Sequence, residues 1–188
     1  MSYVADFYSK HPPIYDAPVN PELSDDIVKT YQEDHESLIE IIEGNDVKTI
    51  LEIGTSRGYT ARLMAEHPQV EHVVTMDIWP KAGDQVRDCP KATFWCQSSF
   101  NLDIEPHINK YDMIHIDGSH GFADVVADTR IALALKPKVI SWHDWGAIEG
   151  TMNWQSVKDA VYFFAEKIPF EIITKPQIIA YAVLRKDT

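Results

Sequence analysis

Lys48-Thr49-Ile50-Leu51-Glu52-Ile53-Gly54-Thr55-Ser56-Arg57-Gly58-Tyr59-Thr60 is the stretch on which the reading of this chain turns. A short apolar run ends in Glu52-x-Gly54-x-x-x-Gly58 and leads into a helix-compatible segment, Tyr59 to Glu66. This is a strand, a glycine turn and a helix in succession. Gly54 and Gly58 can take backbone angles that other residues avoid, and neither carries a Cβ that would hold a ligand off the backbone. The helix start behind them offers N–H groups and a partial positive charge, suited to a carboxylate or phosphate. Dinucleotide-binding folds prefer Gly-x-Gly-x-x-Gly, whose first glycine would fall at Glu52. A carboxylate there would repel a pyrophosphate, so the spacing disfavours a dinucleotide. Taken alone, the glycines are also compatible with simple turn punctuation.

About 20 residues further on, Glu71-His72-Val73-Val74-Thr75-Met76-Asp77-Ile78-Trp79 reads as a second strand with an acidic residue at its end. In a βαβ unit a carboxylate at that point accepts two hydrogen bonds from a ribose diol. Asp77 is therefore the expected ribose ligand, with Ile78 and Trp79 placed to flank an adenine. The plainer alternative is that Asp77 opens a turn before Pro80. Two motifs in register are far more specific than either one.

The 188 residues, 45% hydrophobic and 24% charged, suit one globular unit with a real core. A formal net charge of −12 argues against nucleic acid as a partner, since phosphates are repelled. It leaves room for a small neutral or cationic molecule. Cys89 and Cys96 form no CxxC pair and no secretory leader is evident, so both read as reduced thiols of a cytoplasmic protein. No apolar run approaches the roughly 18 residues of a membrane span.

The first 21 residues hold Pro12, Pro13, Pro18 and Pro21 among Tyr3, Phe7, Tyr8 and Tyr15, and are expected as an extended arm. A helix is expected from Ser24 as N-cap, with Val28, Tyr31, His35, Leu38 and Ile42 on one stripe and Gly44-Asn45 at its end. His35 on that stripe reads as a packed histidine rather than a ligand. Residues 1–45 thus form an arm and helix, either a lid over the cleft or a homodimer surface, ahead of a domain at 46–188. Strands are expected at about 48–53, 72–77, Ala92–Cys96, Tyr111–Asp117 and Val139–His143, with helical patterns between them, most clearly Phe122, Val125, Val126 and Leu133. A last helix carries Trp154, Val157, Val161, Phe164 and Ile168 on one face. Pro169–Thr174 and Ile178–Leu184, joined by Lys175-Pro176-Gln177, read as a hairpin. The fold class is α/β: a Rossmann-like, seven-stranded, mostly parallel sheet with one antiparallel strand and helices on both faces.

In open α/β sheets ligands bind at the carboxyl ends of the strands. There the fourth strand ends Ile116-Asp117-Gly118-Ser119-His120-Gly121-Phe122 and the fifth ends Ser141-Trp142-His143-Asp144-Trp145. Two carboxylates and two histidines converge, able to hold a hard divalent cation or to supply a base near neutral pH. Each has a plainer alternative: Asp117 as a turn residue, His120 as a helix cap, Asp144 as an N-cap. His115 points away from the residues beside it and reads as packed.

Glu52-x-Gly54-x-x-x-Gly58 resembles the first motif of class I S-adenosylmethionine-dependent methyltransferases. The two paired runs, with Leu135-Lys136-Pro137 between them, resemble methyltransferase family 24, related to cephalosporin hydroxylase-like and macrolide sugar O-methyltransferases. The resemblance covers about residues 46–184, on four short runs. It implies a cofactor site of Glu52, Gly54, Thr55, Ser56, Gly58, Asp77, Ile78, Ser98, Ser99 and Asp117, with Glu52 near the amino group of the cofactor and the two serines near its adenine. It also implies magnesium on Asp117 and Asp144, and catalytic roles for Asp117, His120 and His143. The chain departs from the pattern at Pro137-Lys138, where a glycine pair is usual, and at Asp144-Trp145, where catechol-type enzymes carry Asp-Asn. The expected activity is methyl transfer from S-adenosylmethionine to a hydroxyl of a small-molecule acceptor. Rival expectations are a catalytically silent binder of the same cofactor, a nicotinamide oxidoreductase, which the glycine spacing disfavours, and a metal-dependent oxygenase, which the adjacency of His143 and Asp144 disfavours.

Overall fold

The computed structural model describes residues 2–12, 21–145, 155–165, 172–174 and 179–184, with the backbone alone for 21–28 and 30. Its elements in chain order are α1 (Tyr3–Lys10), α2 (Pro21–Gly44), β1 (Thr49–Ile53), α3 (Tyr59–Glu66), β2 (His72–Asp77), β3 (Ala92–Cys96), β4 (Met113–Ile116), α4 (Phe122–Leu135), β5 (Val139–Trp142), α5 (Gln155–Ala165), β6 (Ile172–Thr174) and β7 (Ala180–Val183). Two single 3-10 turns, Ser99–Asn101 and Glu105–His107, lie between β3 and β4.

The strands form one seven-stranded sheet in the order β3-β2-β1-β4-β5-β7-β6, in which β7 runs antiparallel to both its neighbours. This is the expected fold class. Each expected strand is found among the described residues. The order reverses between β1 and β4, which places a topological switch point at the glycine loop after β1. The proposed Lys175-Pro176-Gln177 connector, Trp154 and Ile168 lie outside the described residues.

Alternation along β1 feeds two cores. Ile50 joins Val4, Phe7, Leu38, Ile42, Leu63 and Met64 on the face covered by α1, α2 and α3. Leu51 and Ile53 join Ile114, Val125, Trp142, Val161 and Phe164 on the face covered by α4 and α5. Burial on both faces is what a central parallel strand requires.

Two N-terminal expectations are corrected. Tyr3–Lys10 is a helix, not an extended arm: no proline precedes Pro12, Ser2 Oγ caps the helix by accepting from Ala5 N–H, and Tyr3, Phe7 and Tyr8 recur at helical spacing. The second helix opens at Pro21, three residues before Ser24, using the preference of proline for a first turn. These helices seat firmly on the body. Tyr3 Oη donates to the Leu63 carbonyl at 2.6 Å, and Tyr8 Oη lies 2.9 Å from His35 Nδ1. His35 is a packed histidine as expected, its pKa pushed down to about 3 by burial. No described helix is long and apolar enough to cross a membrane.

Candidate active site

The carboxyl ends of the first five strands open onto a cleft of about 870 Å³. Its floor is the turn at Gly54, whose φ of 99° suits glycine alone. A Cβ there would lie 2.1 Å from the backbone oxygen of Asp117, so β1 and β4 approach too closely for any side chain. Gly58, with a φ of 87°, opens α3 without a capping side chain, and the first residues of that helix line the cleft.

Asp77 ends β2 with its carboxylate toward this loop. Its Oδ2 accepts from the N–H groups of Thr55 and Ser56 at 3.1 and 2.9 Å, and Oδ1 accepts from Trp79 N–H at 3.0 Å. The carboxylate therefore ties the glycine turn to β2 while facing the cleft. Beside it Ile78 and Trp79 are 67% and 70% exposed, a large apolar surface ready to cover a flat ring. Across the cleft, Ser98 caps the first 3-10 turn, and buried Ser99 donates through Oγ to Asp128 Oδ1 at 2.6 Å.

Glu52, expected beside the cofactor, is not among the residues that line the cleft. It is 1% exposed and its Oε2 accepts from Thr75 Oγ1 at 2.5 Å, with Thr55 Oγ1 a further 2.6 Å from the Thr75 hydroxyl. Burial pushes its pKa well above the carboxylate range, against the Thr75 bond and with Asp117 and Asp77 adding to the rise. The reason is geometric: side chains of a strand stand perpendicular to it, so Glu52 points into the layer under α2 and α3 rather than off the strand end.

The second constellation does assemble. His120 Nε2 is hydrogen-bonded to Asp144 Oδ2. His143 Nδ1 lies 3.2 Å from Asp117 Oδ1 and 3.1 Å from Asp144 Oδ2. Burial alone would push the His143 imidazole down, but Asp117 and then Asp144 hold it well above its ordinary value. Burial would likewise raise Asp144, but the bonds from His120 and His143 hold it well below the usual carboxylate range. Asp144 adopts a φ of 58°, a left-handed conformation costing roughly 1–2 kcal/mol that the surrounding bonds maintain. One donor atom each from Asp117, His120 and Asp144 lies within 4.8 Å of the others. His115 is fully buried, with Nδ1 2.8 Å from Ser141 Oγ, and stays outside the cleft as expected.

Tyr31, Asp34 and Asp128 are among the residues at the site that the sequence reading misses. Tyr31 on α2 lines the cleft. Asp34, 1% exposed, places Oδ2 3.9 Å from His143 Nε2. Asp128 on α4 lines the cleft although only 4% exposed. The available signal was a carboxylate on an otherwise apolar helical face: Asp34 three residues after Tyr31, and Asp128 three after Val125 and four before Ala132. The loop Gly146–Asn153 after β5 lies outside the described residues.

A family profile for a methyltransferase domain, that of methyltransferase family 24, matches residues 51–145. No curated protein matches the sequence. Among solved structures, cofactor-bound Rv0187 from MTB is similar with a TM-score of 0.63 at 17% identity, over 97% of each chain. The O-methyltransferase TomG from Streptomyces achromogenes, involved in tomaymycin synthesis and in complex with SAM, gives 0.62 at 16%, over 99% of this chain and 91% of that one. The O-methyltransferase from Bacillus cereus in complex with SAH gives 0.60 at 17%, over 97% and 89%. At these identities the likeness is one of fold.

Proposed function

This chain belongs to methyltransferase family 24, and from that premise we propose that it transfers the methyl group of S-adenosylmethionine to a hydroxyl of a small acceptor molecule. The observation that best supports this reading is the His120–Asp144 pair at the edge of the cleft lined by Gly54, Gly58 and Asp77. The sulfonium is already activated, so the work of the protein is to align acceptor oxygen, methyl carbon and sulfur. Such positioning contributes on the order of 7–11 kcal/mol. The oxygen lone pair attacks the methyl carbon, the carbon–sulfur bond breaks toward sulfur, and S-adenosylhomocysteine leaves.

The proton of the hydroxyl goes to His120. Its bond to Asp144 orients the ring, and a base so positioned is worth roughly 10²–10⁴-fold in rate. His143 is the poorer base because Asp117 and Asp144 keep it charged. It serves instead to hold those two carboxylates side by side.

A second reading is favoured by the close approach of Asp117, His120 and Asp144, whose donor set fits a divalent cation. Two carboxylates with an imidazole suit a first-row ion such as manganese at least as well as the magnesium expected from sequence. When bound, such an ion would lower the pKa of the acceptor hydroxyl and orient it. His120 is then a ligand rather than the base.

Calorimetric titration with S-adenosylhomocysteine, then transfer of labelled methyl to a panel of small phenols and alcohols with and without chelator, tests these readings. Cofactor binding abolished by Asp77→Ala, with chelator-resistant turnover that His120→Ala removes, is the expected result. Turnover lost to chelator and restored by a divalent ion selects the metal reading. Binding without turnover against any acceptor selects the silent binder. Absence of cofactor binding overturns the proposal.

A further inference from the structure

Asp34 lies on the buried face of α2, three residues after Tyr31, which lines the cleft, and four before Leu38, which is packed in the core. The turn that carries it is well anchored. His35 beside it lies 2.9 Å from Tyr8 Oη at Nδ1 and 3.2 Å from Thr60 Oγ1 at Nε2. A carboxylate buried in such a turn is expensive to keep unless a cation meets it. His143 Nε2 stands 3.9 Å from its Oδ2. We propose that Asp34 is a positioning residue for methyl transfer: from the Nε2 side it sets the tilt of the His143 ring, and so the placement of Asp117 and Asp144 on the Nδ1 side. The inference rests on the methyl-transfer reading above for its kinetic consequence.

The His143 ring needs a second hold. Its backbone is tied, the N–H donating to Ile116 O at 3.0 Å, so only its side-chain torsions remain to be fixed. Nδ1 lies 3.2 Å from Asp117 Oδ1 and 3.1 Å from Asp144 Oδ2, shared between two oxygens rather than aimed squarely at one. Hydrogen bonds weaken steeply off axis, so this sharing fixes where Nδ1 sits better than how the ring is tilted. The two nitrogens of an imidazole point away from each other. A charge on the far side of the ring therefore acts on its tilt directly, and Asp34 supplies a charge on that side. At 3.9 Å the contact is an ion pair rather than a direct hydrogen bond, and it acts by attraction. His115 bounds the ring edge-on at 6.2 Å between centroids. Without the Asp34 charge the ring is free to turn about its Cβ–Cγ bond, and the two carboxylates lose the cation that stands between them. Because Asp34 belongs to α2 and His143 follows β5, the reactive end of the cleft is organised only when α2 is seated.

Crystal structures of the full chain, wild type and Asp34→Leu, read the ring directly, since leucine keeps the branched shape without the charge. In the variant the ring should turn until Nδ1 stands beyond about 3.5 Å from at least one of the two carboxylates. A ring that has not moved overturns the inference. Should the leucine variant fail to fold, Asp34→Ala, which cannot overfill the site, is read in the same way. Kinetics and calorimetry then separate positioning from packing. With whichever small phenol or alcohol the wild type methylates, Asp34→Leu should lose on the order of 10²-fold in kcat, as for a misplacement of about 1 Å. Acceptor KM and S-adenosylhomocysteine affinity should stay within about threefold. Asp34→Asn, which keeps an oxygen for Nε2, should recover at least about tenfold of the loss. Added to His143→Gln, Asp34→Leu should cost no more than about a further twofold, because it acts through that ring. Full additivity with His143→Gln, or equal damage from Asn and Leu with cofactor affinity lost in step, marks a packing role and overturns the inference. The two ideas fail separately: a wild-type protein that binds S-adenosylhomocysteine and methylates nothing removes the methyl-transfer reading, while the position of the ring still decides the role of Asp34.

Discussion

Replacing Gly54 by alanine should damage stability and cofactor binding together, because one backbone position serves both. The new Cβ would sit 2.1 Å from Asp117 O and 2.4 Å from its carbonyl carbon. Ordinary carbon–oxygen contacts begin near about 3.3 Å, so the ends of β1 and β4 must part by roughly 1 Å. Neither partner can yield cheaply. Gly54 N–H donates to Met76 O at 2.9 Å and Asp117 N–H donates to Ile53 O at 2.8 Å, so a shift strains the junction of three strands. Alanine at a φ of 99° adds about 1–2 kcal/mol, and forcing a methyl into packed backbone adds about 1–3 kcal/mol. The sum, about 2–5 kcal/mol, corresponds to a fall in melting temperature of roughly 5–20 °C for a chain of this size. Displacing Asp117 by about 1 Å can further lower turnover on the order of 10²-fold. The control is Gly44→Ala at the end of α2, where a Cβ meets nothing within 4 Å; it should change stability by less than about 1 kcal/mol. Thermal unfolding followed by circular dichroism, with calorimetric titration of S-adenosylhomocysteine, gives both readouts. Should Gly54→Ala melt within a degree or two of wild type and bind the ligand unchanged, the close approach of β1 and β4 is not what organises the cleft.

Further substitutions probe the buried groups. Glu52→Gln keeps the shape of a carboxyl that is neutral in the fold. Because the folded pKa is raised, wild-type Glu52 loses stability as pH rises above the unfolded value near 4.5, so the variant should gain on wild type with rising pH in urea titrations, by at most about 1.4 kcal/mol per pH unit. The same variant should bind S-adenosylhomocysteine with wild-type affinity; a tenfold loss would return Glu52 to the cofactor. His115 runs the opposite way: its folded pKa of about 4 means its stabilising contribution is whole above about 6.5 and shrinks as pH falls toward 4. His115→Gln, whatever its offset at pH 7, should therefore close on wild type by about 1.4 kcal/mol per unit from pH 6.5 to 4.5, and parallel pH curves would refute the burial argument. Trp142→Phe deprives the Thr129 hydroxyl of an indole donor at 2.9 Å in the core and should cost about 2–4 kcal/mol in chemical denaturation, an unchanged midpoint being the refuting result.

What was legible in the sequence is what depends on period and on local backbone. The strands announced themselves as short apolar runs closed by turn residues, and Gly54, Gly58 and Asp77 lie where their spacing requires. Side-chain direction was less legible. Glu52 and Gly54 are two residues apart in a motif that names both, but one is a side chain aimed into a layer and the other is backbone at the strand end. The N-terminal helix was hidden because Pro12 and Pro13 were allowed to speak for ten residues that contain no proline. Asp34 and Asp128 were hidden because each reaches the site from a helix, through contacts between elements far apart in the chain.

One register explains why the cleft is polar and still rigid. Thr75, Glu52, His115 and Ser141 are direct partners across β2, β1, β4 and β5, and so share the face beneath α1, α2 and α3. Two residues later stand Asp77 at the end of β2 and, one residue past the ends of β1, β4 and β5, Gly54, Asp117 and His143. Each strand thus repeats one pattern: a buried polar residue, an apolar residue on the far face, then a residue of the site. An all-apolar row beneath the site would leave the charges of Asp117 and His143 against hydrocarbon, at a desolvation cost of several kcal/mol. The observed row is bonded in pairs instead, Thr75 to Glu52 and Ser141 to His115, with the His115 ring edge-on to His143 at 6.2 Å between centroids. Such a floor gives the charged groups above it a fixed polar support, and it lets a helix face carrying Asp34 close against the sheet without stranding that carboxylate among aliphatic side chains.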